Sequence, residues 1–124
     1  MTMYSEKVLE HFSRPQNVGT IENADGFGQD SGGARCPDDI AHVWIRVADD
    51  RIVEIKHKTL GCPVAIAASS MTTVMAQGKT LVEALQITEE MVVQALGGIP
   101  ERKADSIVAV GALRQAIADY QRKP

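Results

Sequence analysis

The chain has 124 residues and a formal net charge of −3 at neutral pH. This length fits one domain, residues 1–124, which can bury a core without disulfide bonds. Because the net charge is negative, the chain lacks the overall positive potential that attracts nucleic acid. No apolar run approaches the roughly 20 residues of a membrane span. The N-terminal residues lack a signal-peptide pattern, so we expect a cytoplasmic protein whose two cysteines stay reduced.

The N-terminal third of the chain predicts little regular structure. Residues 5–13 predict a short amphipathic helix with Val8, Leu9 and Phe12 on its apolar face. Ser5 suits the N-cap of that helix because its hydroxyl can accept from a free backbone N–H group. The polar, glycine-rich segment 21–33 predicts at most one irregular edge strand.

Two strands follow, and their alternation of apolar and polar residues is regular. Residues 39–47 and 52–59 flank a short polar turn and predict an antiparallel hairpin. The alternation places Ile52 on one side of the second strand. It places three residues on the other side: Val53, Ile55 and His57. We interpret His42 and His57 as half-exposed strand residues rather than ligands.

The rest of the chain has helical periodicity. Pro63 suits the first position of a helix over 63–77, which makes Cys62 its N-cap residue. Short helices are predicted to begin after Thr80 and Thr88, and a last helix over 105–120. The predicted order is one helix, then an antiparallel sheet, then several helices. This order is typical of an α+β fold rather than a parallel βαβ fold.

Cys62 is the most informative single residue of the sequence. A thiol at a helix N-terminus lies beside free N–H groups, which favour the thiolate that binds metal or attacks sulfur. The spacing of Cys36 and Cys62 does not match a paired CxxC zinc site. From the residues alone, Cys36 also fits a small buried hydrophobe, Asp38 a turn cap, and Asp105 the N-cap of the last helix.

Seven short motifs along the chain are more specific in combination than any one of them alone. In chain order they are Tyr4–Val8, Arg14–Gly19, Cys36–Asp38, Lys58–Cys62, Gly78–Thr80, Ala95–Pro100 and Ala116–Tyr120. With these motifs the chain resembles the U-type iron–sulfur cluster assembly scaffolds, IscU and the N-terminal domain of NifU. The resemblance covers nearly the whole chain and implies an α+β fold with a small three-stranded antiparallel sheet and flanking helices.

The resemblance also implies a set of ligands at one end of the sheet. Family members use three cysteines, an aspartate and often a histidine. The match assigns the first cysteine to Cys36, the aspartate to Asp38 and the second cysteine to Cys62. Where the family has His-Cys-Ser, this chain has Ala104–Ser106, so a carboxylate replaces the third thiolate. The predicted cofactor-binding and metal-binding set is therefore Cys36, Asp38, Cys62 and Asp105, which suits an iron–sulfur cluster or Zn²⁺.

The function implied by the resemblance is that of a scaffold rather than an enzyme. Such a protein assembles a [2Fe–2S] or [4Fe–4S] cluster from iron and sulfur and transfers it to recipient iron–sulfur apoproteins. Cys62 is the candidate acceptor of persulfide sulfur from an IscS/NifS-like cysteine desulfurase, and a second subunit in a homodimer can complete the thiolate set. Two alternatives stay open: a zinc-bound persulfide relay, and a degenerate paralogue that acts as an interaction module.

Overall fold

The computed structural model describes residues 4–34 and 36–123, and for Cys36, Glu101 and Arg102 it describes the backbone alone. The elements are, in chain order, α1 (Glu6–Ser13), β1 (Gly26–Gly32), β2 (Cys36–Ala48), β3 (Arg51–Leu60), α2 (Pro63–Ala76), α3 (Leu81–Leu85), α4 (Glu89–Ala95), a 3₁₀ helix (Glu101–Ser106) and α5 (Ala109–Arg122). The three strands form one antiparallel sheet in the order β1-β2-β3. The predicted α+β fold is confirmed. Over the described ranges, none of the helices has the length and apolarity to cross a membrane.

One face of the sheet packs against helices and forms the core. Helix α5 lies on β1 and β2, while α2 lies on β3. The approach of α5 to β1 is close because Gly26 and Gly28 have no side chains. A Cβ atom at Gly28 would collide with the backbone of Ala112 and Ala116. The glycine-rich segment thus does form an edge strand, and its glycines let the helix approach.

The other face of the sheet has side chains that are only partly covered. The ring of Phe27 on β1 lies 5.9 Å from that of His42 and 5.1 Å from that of Trp44, measured between centroids. His42 and Trp44 are half-buried, and Phe27 is exposed. The interpretation of His42 as a half-exposed strand residue is confirmed.

Strand β3 contains an irregularity that changes which side chains face the core. Arg46 pairs with Glu54, but the next residue, Val47, pairs with Ile52, so Val53 is an extra residue in the ladder. Ile52 is fully buried and Val53 is 46% exposed. The prediction that Val53 shares a side with the buried Ile55 is wrong, because such a bulge reverses the alternation at that point.

His57 is buried rather than half-exposed, so that interpretation is wrong. Its Nε2 atom lies 3.0 Å from the carbonyl oxygen of Gln16, and its Nδ1 atom lies 3.0 Å from the hydroxyl of Thr59. A carbonyl can only accept, so Nε2 carries the proton and Nδ1 accepts the Thr59 hydroxyl. The backbone of His57 also bonds to Asn17 and Gly19. The ring therefore anchors the segment after α1 to the edge of β3.

This burial predicts a loss of stability in mild acid. Burial lowers the pKa of His57, partly opposed by its bond to the Gln16 carbonyl. The unfolded chain therefore binds a proton first, and the free energy of unfolding falls as the pH drops below about 6.5. Urea unfolding from about pH 8 to about pH 5 should show a smaller decline for His57→Gln than for the unsubstituted chain. His42→Gln is the control, and an unchanged decline in His57→Gln would contradict the prediction.

The helix ends lie where the sequence predicts them when capping residues within the same few positions determine them. Ser5 caps α1 through a 3.1 Å bond from the Val8 backbone, as predicted. The buried side chains of α1 are Val8 and His11, whereas Phe12 is 40% exposed, so the predicted apolar face is only partly right. The last helix begins at Ala109 rather than at residue 105, since the residues before it form the 3₁₀ helix.

Candidate functional site

Cys62 is the N-cap residue of α2, as predicted. Its backbone is extended (φ −73°, ψ 169°), and Pro63 occupies the first turn. The preceding residue, Gly61, has φ +146°, a conformation that side chains rarely tolerate. A Cβ atom at Gly61 would also collide with the carboxylate of Asp39. The Gly-Cys-Pro sequence thus turns the chain from β3 into α2 and leaves space for a carboxylate beside the thiol.

The carboxylate of Asp39 is the centre of a small buried cluster. Its Oδ1 atom accepts the backbone N–H of Cys62 at 3.2 Å, and its Oδ2 atom accepts the hydroxyl of Ser106 at 2.6 Å. The Sγ atom of Cys62 lies 3.7 Å from Oδ2 and 3.5 Å from the Ser106 hydroxyl. Asp39 is 7% exposed and Ser106 is fully buried, while Cys62 is half-buried. Three elements, β2, α2 and the 3₁₀ helix, therefore meet at one thiol.

The spacing of the thiol and the carboxylate fits a shared metal ion. Typical zinc–sulfur and zinc–oxygen bond lengths at a tetrahedral angle separate the two donor atoms by about 3.5 Å. The observed separation of Cys62 Sγ and Asp39 Oδ2 is 3.7 Å. A thiolate with a carboxylate is a mixed soft and hard donor pair that can bind Zn²⁺ or iron.

The structure separates the two neighbouring aspartates. Asp38, the predicted ligand, is exposed on β2, whereas Asp39 is buried beside Cys62. Successive side chains of a strand point to opposite faces, so only one of the two can point inwards. Asp39 is in phase with the buried Ala41 and Val43, and that alternation was available in the sequence. Sequence reasoning missed Asp39 because the match to the family motif assigned the ligand role to its neighbour.

The 3₁₀ helix supplies Ser106, rather than Asp105, to the contact with Cys62. Asp105 is half-buried and precedes Ser106 by one residue. The alternative that Asp105 caps the last helix is wrong, because the N-cap of α5 is Val108 and makes no side-chain cap bond. No sequence pattern pointed to Ser106 as a neighbour of the thiol.

Cys36 lies at the end of β2, where its backbone pairs with Gly32. Its side chain lies outside the described part of the structure, so the set Cys36, Asp38, Cys62 and Asp105 stays a prediction. Among the side chains that the structure does describe, no three from His, Cys, Asp and Glu are grouped to hold a metal ion.

Comparisons with known proteins agree with this fold. The family model of the NifU-like N terminal domain matches residues 3–124. The chain is 53% identical to iron-sulfur cluster assembly scaffold protein IscU 1 of Archaeoglobus fulgidus, covering 98% of this chain and 78% of that protein. It is 40% identical to the IscU scaffold protein of Escherichia coli K12, covering 97% of this chain and 95% of that one.

Solved structures give the same architecture. The N-terminal NifU-like protein of Brucella abortus superposes with a TM-score of 0.78 at 16% identity, covering 98% of this chain and 96% of that one. The SUF-system scaffold protein of Fervidobacterium islandicum gives 0.72 at 22% identity, covering 93% and 96%. These structures support the fold alone, whereas the family model and the closer relatives establish kinship. The chain belongs to the NifU-like N-terminal domain family, together with the IscU proteins.

Proposed function

We propose that this chain is a scaffold on which an iron–sulfur cluster is assembled and from which it is passed to acceptor proteins. The observation that carries the proposal is the match to proteins named iron-sulfur cluster assembly scaffolds, at up to 53% identity over nearly the whole chain. The thiol of Cys62 beside the Asp39 carboxylate gives that role a chemical basis. These relatives are named as scaffolds and not as enzymes, so the chain is a carrier.

The proposed ligand set combines two thiolates with carboxylate oxygen. Cys36 and Cys62 are the only cysteines in the sequence. Among the candidate carboxylates, Asp39 is favoured by its 3.7 Å approach to Cys62, ahead of Asp38 and Asp105. Two chains that each contribute both cysteines would supply the four thiolates of an ordinary [2Fe–2S] or [4Fe–4S] cluster. A homodimer around a shared cluster is therefore part of the proposal.

The sulfur source and the cellular setting follow from the same proposal. The sulfur of the cluster must come from a donor. A cysteine desulfurase would transfer it to a thiolate of this chain as a persulfide, and two electrons from a separate reductant would then convert the outer sulfur to sulfide. Cys62 is the proposed acceptor because its thiol is half-buried at the N-terminus of α2. We place the process in the cytoplasm, where thiols stay reduced.

Anaerobic reconstitution tests the function. With iron and sulfide, the unsubstituted chain is expected to become coloured through charge transfer from sulfur to iron, with iron and sulfide bound in similar amounts. Cys62→Ala and Cys36→Ala should each lose most of this absorption, because each removes one of two thiolates. Gln29→Ala, on the exposed side of β1, is the control and should reconstitute normally.

The competing functions predict different results in the same experiment. A zinc-bound persulfide relay would bind about one Zn²⁺ per chain and no iron with sulfide. A degenerate paralogue would bind neither metal nor sulfide. Full colour in Cys62→Ala would refute the proposed ligand set, and an unsubstituted chain that takes up no iron or sulfide would refute the scaffold function.

A further inference from the structure

Ser106 contacts both members of the thiol–carboxylate pair, and the ligand set does not use it. Its hydroxyl lies 2.6 Å from Asp39 Oδ2 and 3.5 Å from Cys62 Sγ. The residue is fully buried, in the 3₁₀ helix. A buried hydroxyl in contact with both candidate ligands is placed where it can affect how they bind a metal ion.

We propose that Ser106 is a positioning residue for metal binding, which fixes the Asp39 carboxylate where it and Cys62 bind the same ion. The inference rests on the proposed function, because it assumes that metal enters at this pair. It concerns a residue that is not itself a ligand. The substrate is a divalent metal ion, such as iron(II), in the first step of cluster assembly.

The orientation of Asp39 is fixed at both of its oxygens. Oδ1 is held by the backbone N–H of Cys62, and Oδ2 is held by the hydroxyl of Ser106. A carboxylate oxygen has two acceptor directions, so Oδ2 can keep the Ser106 bond and still use its second lone pair. That second lone pair is the one in contact with the Cys62 thiol at 3.7 Å.

Metal entry then exchanges one partner of Oδ2 and keeps the other. The S–H bond of Cys62 breaks, its proton goes to the buffer, and its electron pair forms the bond from sulfur to the metal. No atom changes oxidation state in this step. The lone pair of Oδ2 that faced the thiol proton now binds the metal, while the Ser106 hydroxyl remains bonded to the same oxygen. Such outer partners of a ligand typically contribute ten- to hundred-fold in metal affinity.

The experiment is a double-mutant cycle read with Co²⁺, whose visible and sulfur-to-metal absorption report binding at the thiol. Four full-length chains are titrated: unsubstituted, Ser106→Ala, Asp39→Ala and the double variant. Ser106→Ala is expected to weaken Co²⁺ binding about ten- to hundred-fold. In the Asp39→Ala background the same substitution should change affinity less than about two-fold, because the residue acts through Asp39.

Controls separate positioning from a general effect on folding. Ser31→Ala removes an exposed hydroxyl from β1 and should bind Co²⁺ like the unsubstituted chain. Urea unfolding of each variant reports whether it is folded before titration. NMR of the unsubstituted chain gives a test that needs no substitution: the Ser106 hydroxyl proton should stay protected from exchange after Zn²⁺ is added.

Ser106→Ala binding like the unsubstituted chain, an undiminished effect in the Asp39→Ala background, or a hydroxyl proton released by Zn²⁺ would overturn the positioning role and leave the scaffold function intact. Failure of the unsubstituted chain to bind Co²⁺ would also overturn the positioning role, whereas the scaffold function is refuted only by a failure to take up iron and sulfide.

Discussion

Asp39→Ala is expected to remove most of the uptake of iron and sulfide, while the thiolates retain weak metal binding, and to lower the free energy of unfolding by about 3 kcal/mol. The substitution removes the acceptor of three donors: the Cys62 backbone, the Cys62 thiol and the Ser106 hydroxyl. Because Ser106 is fully buried, its hydroxyl would be left without this bond in a site that water does not reach. Reconstitution and urea unfolding measure the two effects separately.

Asp38→Ala is the matched control for this substitution. The two residues are adjacent and have the same charge, but Asp38 is exposed and Asp39 is 7% exposed. We expect Asp38→Ala to change stability by less than about 0.5 kcal/mol and to leave reconstitution intact. The reverse result, with Asp38→Ala losing the cluster and Asp39→Ala keeping it, would contradict this proposal and support the assignment of Asp38 that the family resemblance implies.

The second large effect is expected at Gly28. An added Cβ atom in Gly28→Ala would meet the backbone of Ala112 and Ala116, together with the side chain of Gln115. Backbone atoms cannot rotate away as a side chain can, so α5 would have to separate from β1. We expect a loss of about 3 kcal/mol or more, at the upper end for overpacking.

Urea unfolding tests this prediction, with Gln29→Ala as the control. Gln29 is the next residue of β1, but its side chain is exposed. A stability loss confined to Gly28→Ala would show that the contact with α5 is responsible, and not the strand's sequence in general. A Gly28→Ala chain as stable as the unsubstituted one would contradict the close approach.

Local chemistry made several elements predictable. The Cys62–Pro63 pair specified a helix start because proline suits the first turn and lacks the N–H that the turn would leave unpaired. The helix start after Thr80 was predictable for a similar reason, because Thr80 and Glu83 form a capping box and both partners lie within four residues. These patterns need no knowledge of the rest of the chain.

Other features depended on contacts between distant segments. The bulge at Val53 changes which side chains of β3 face the core, and no residue pattern within the strand predicts it. His57 looked half-exposed because a histidine in an alternating strand usually is, but Gln16 and Thr59 satisfy both of its ring nitrogens. Burial of a polar ring is decided by partners that lie up to 41 residues away.

The residues of the candidate site likewise fall into those that local sequence predicts and those that depend on contacts between distant segments. Cys62 was identified from its neighbours, whereas Asp39 and Ser106 join it only because β2 and the 3₁₀ helix meet at the start of α2. Asp38 is assigned through its match to a family motif, and such a match contains no information about which face of the strand each side chain of this chain occupies. The start of α5 was misplaced because a 3₁₀ helix occupies residues 101–106.

The adjacent aspartates have a consequence for how this end of the chain tolerates insertions and deletions. The β1–β2 ladder changes register beyond Ile40, where Ser31 pairs with Ile40 and the next residue, Gly32, pairs with Cys36. We therefore expect a length change between Cys36 and Asp39 to be accommodated in the irregular part of the ladder, before regular pairing begins. Deletion of Asp39 would bring Asp38 into its position beside Cys62, so the site would keep a carboxylate, whereas an insertion directly before Ile40 would displace both aspartates. The pair of aspartates would therefore let the site keep its carboxylate after the loss of one residue.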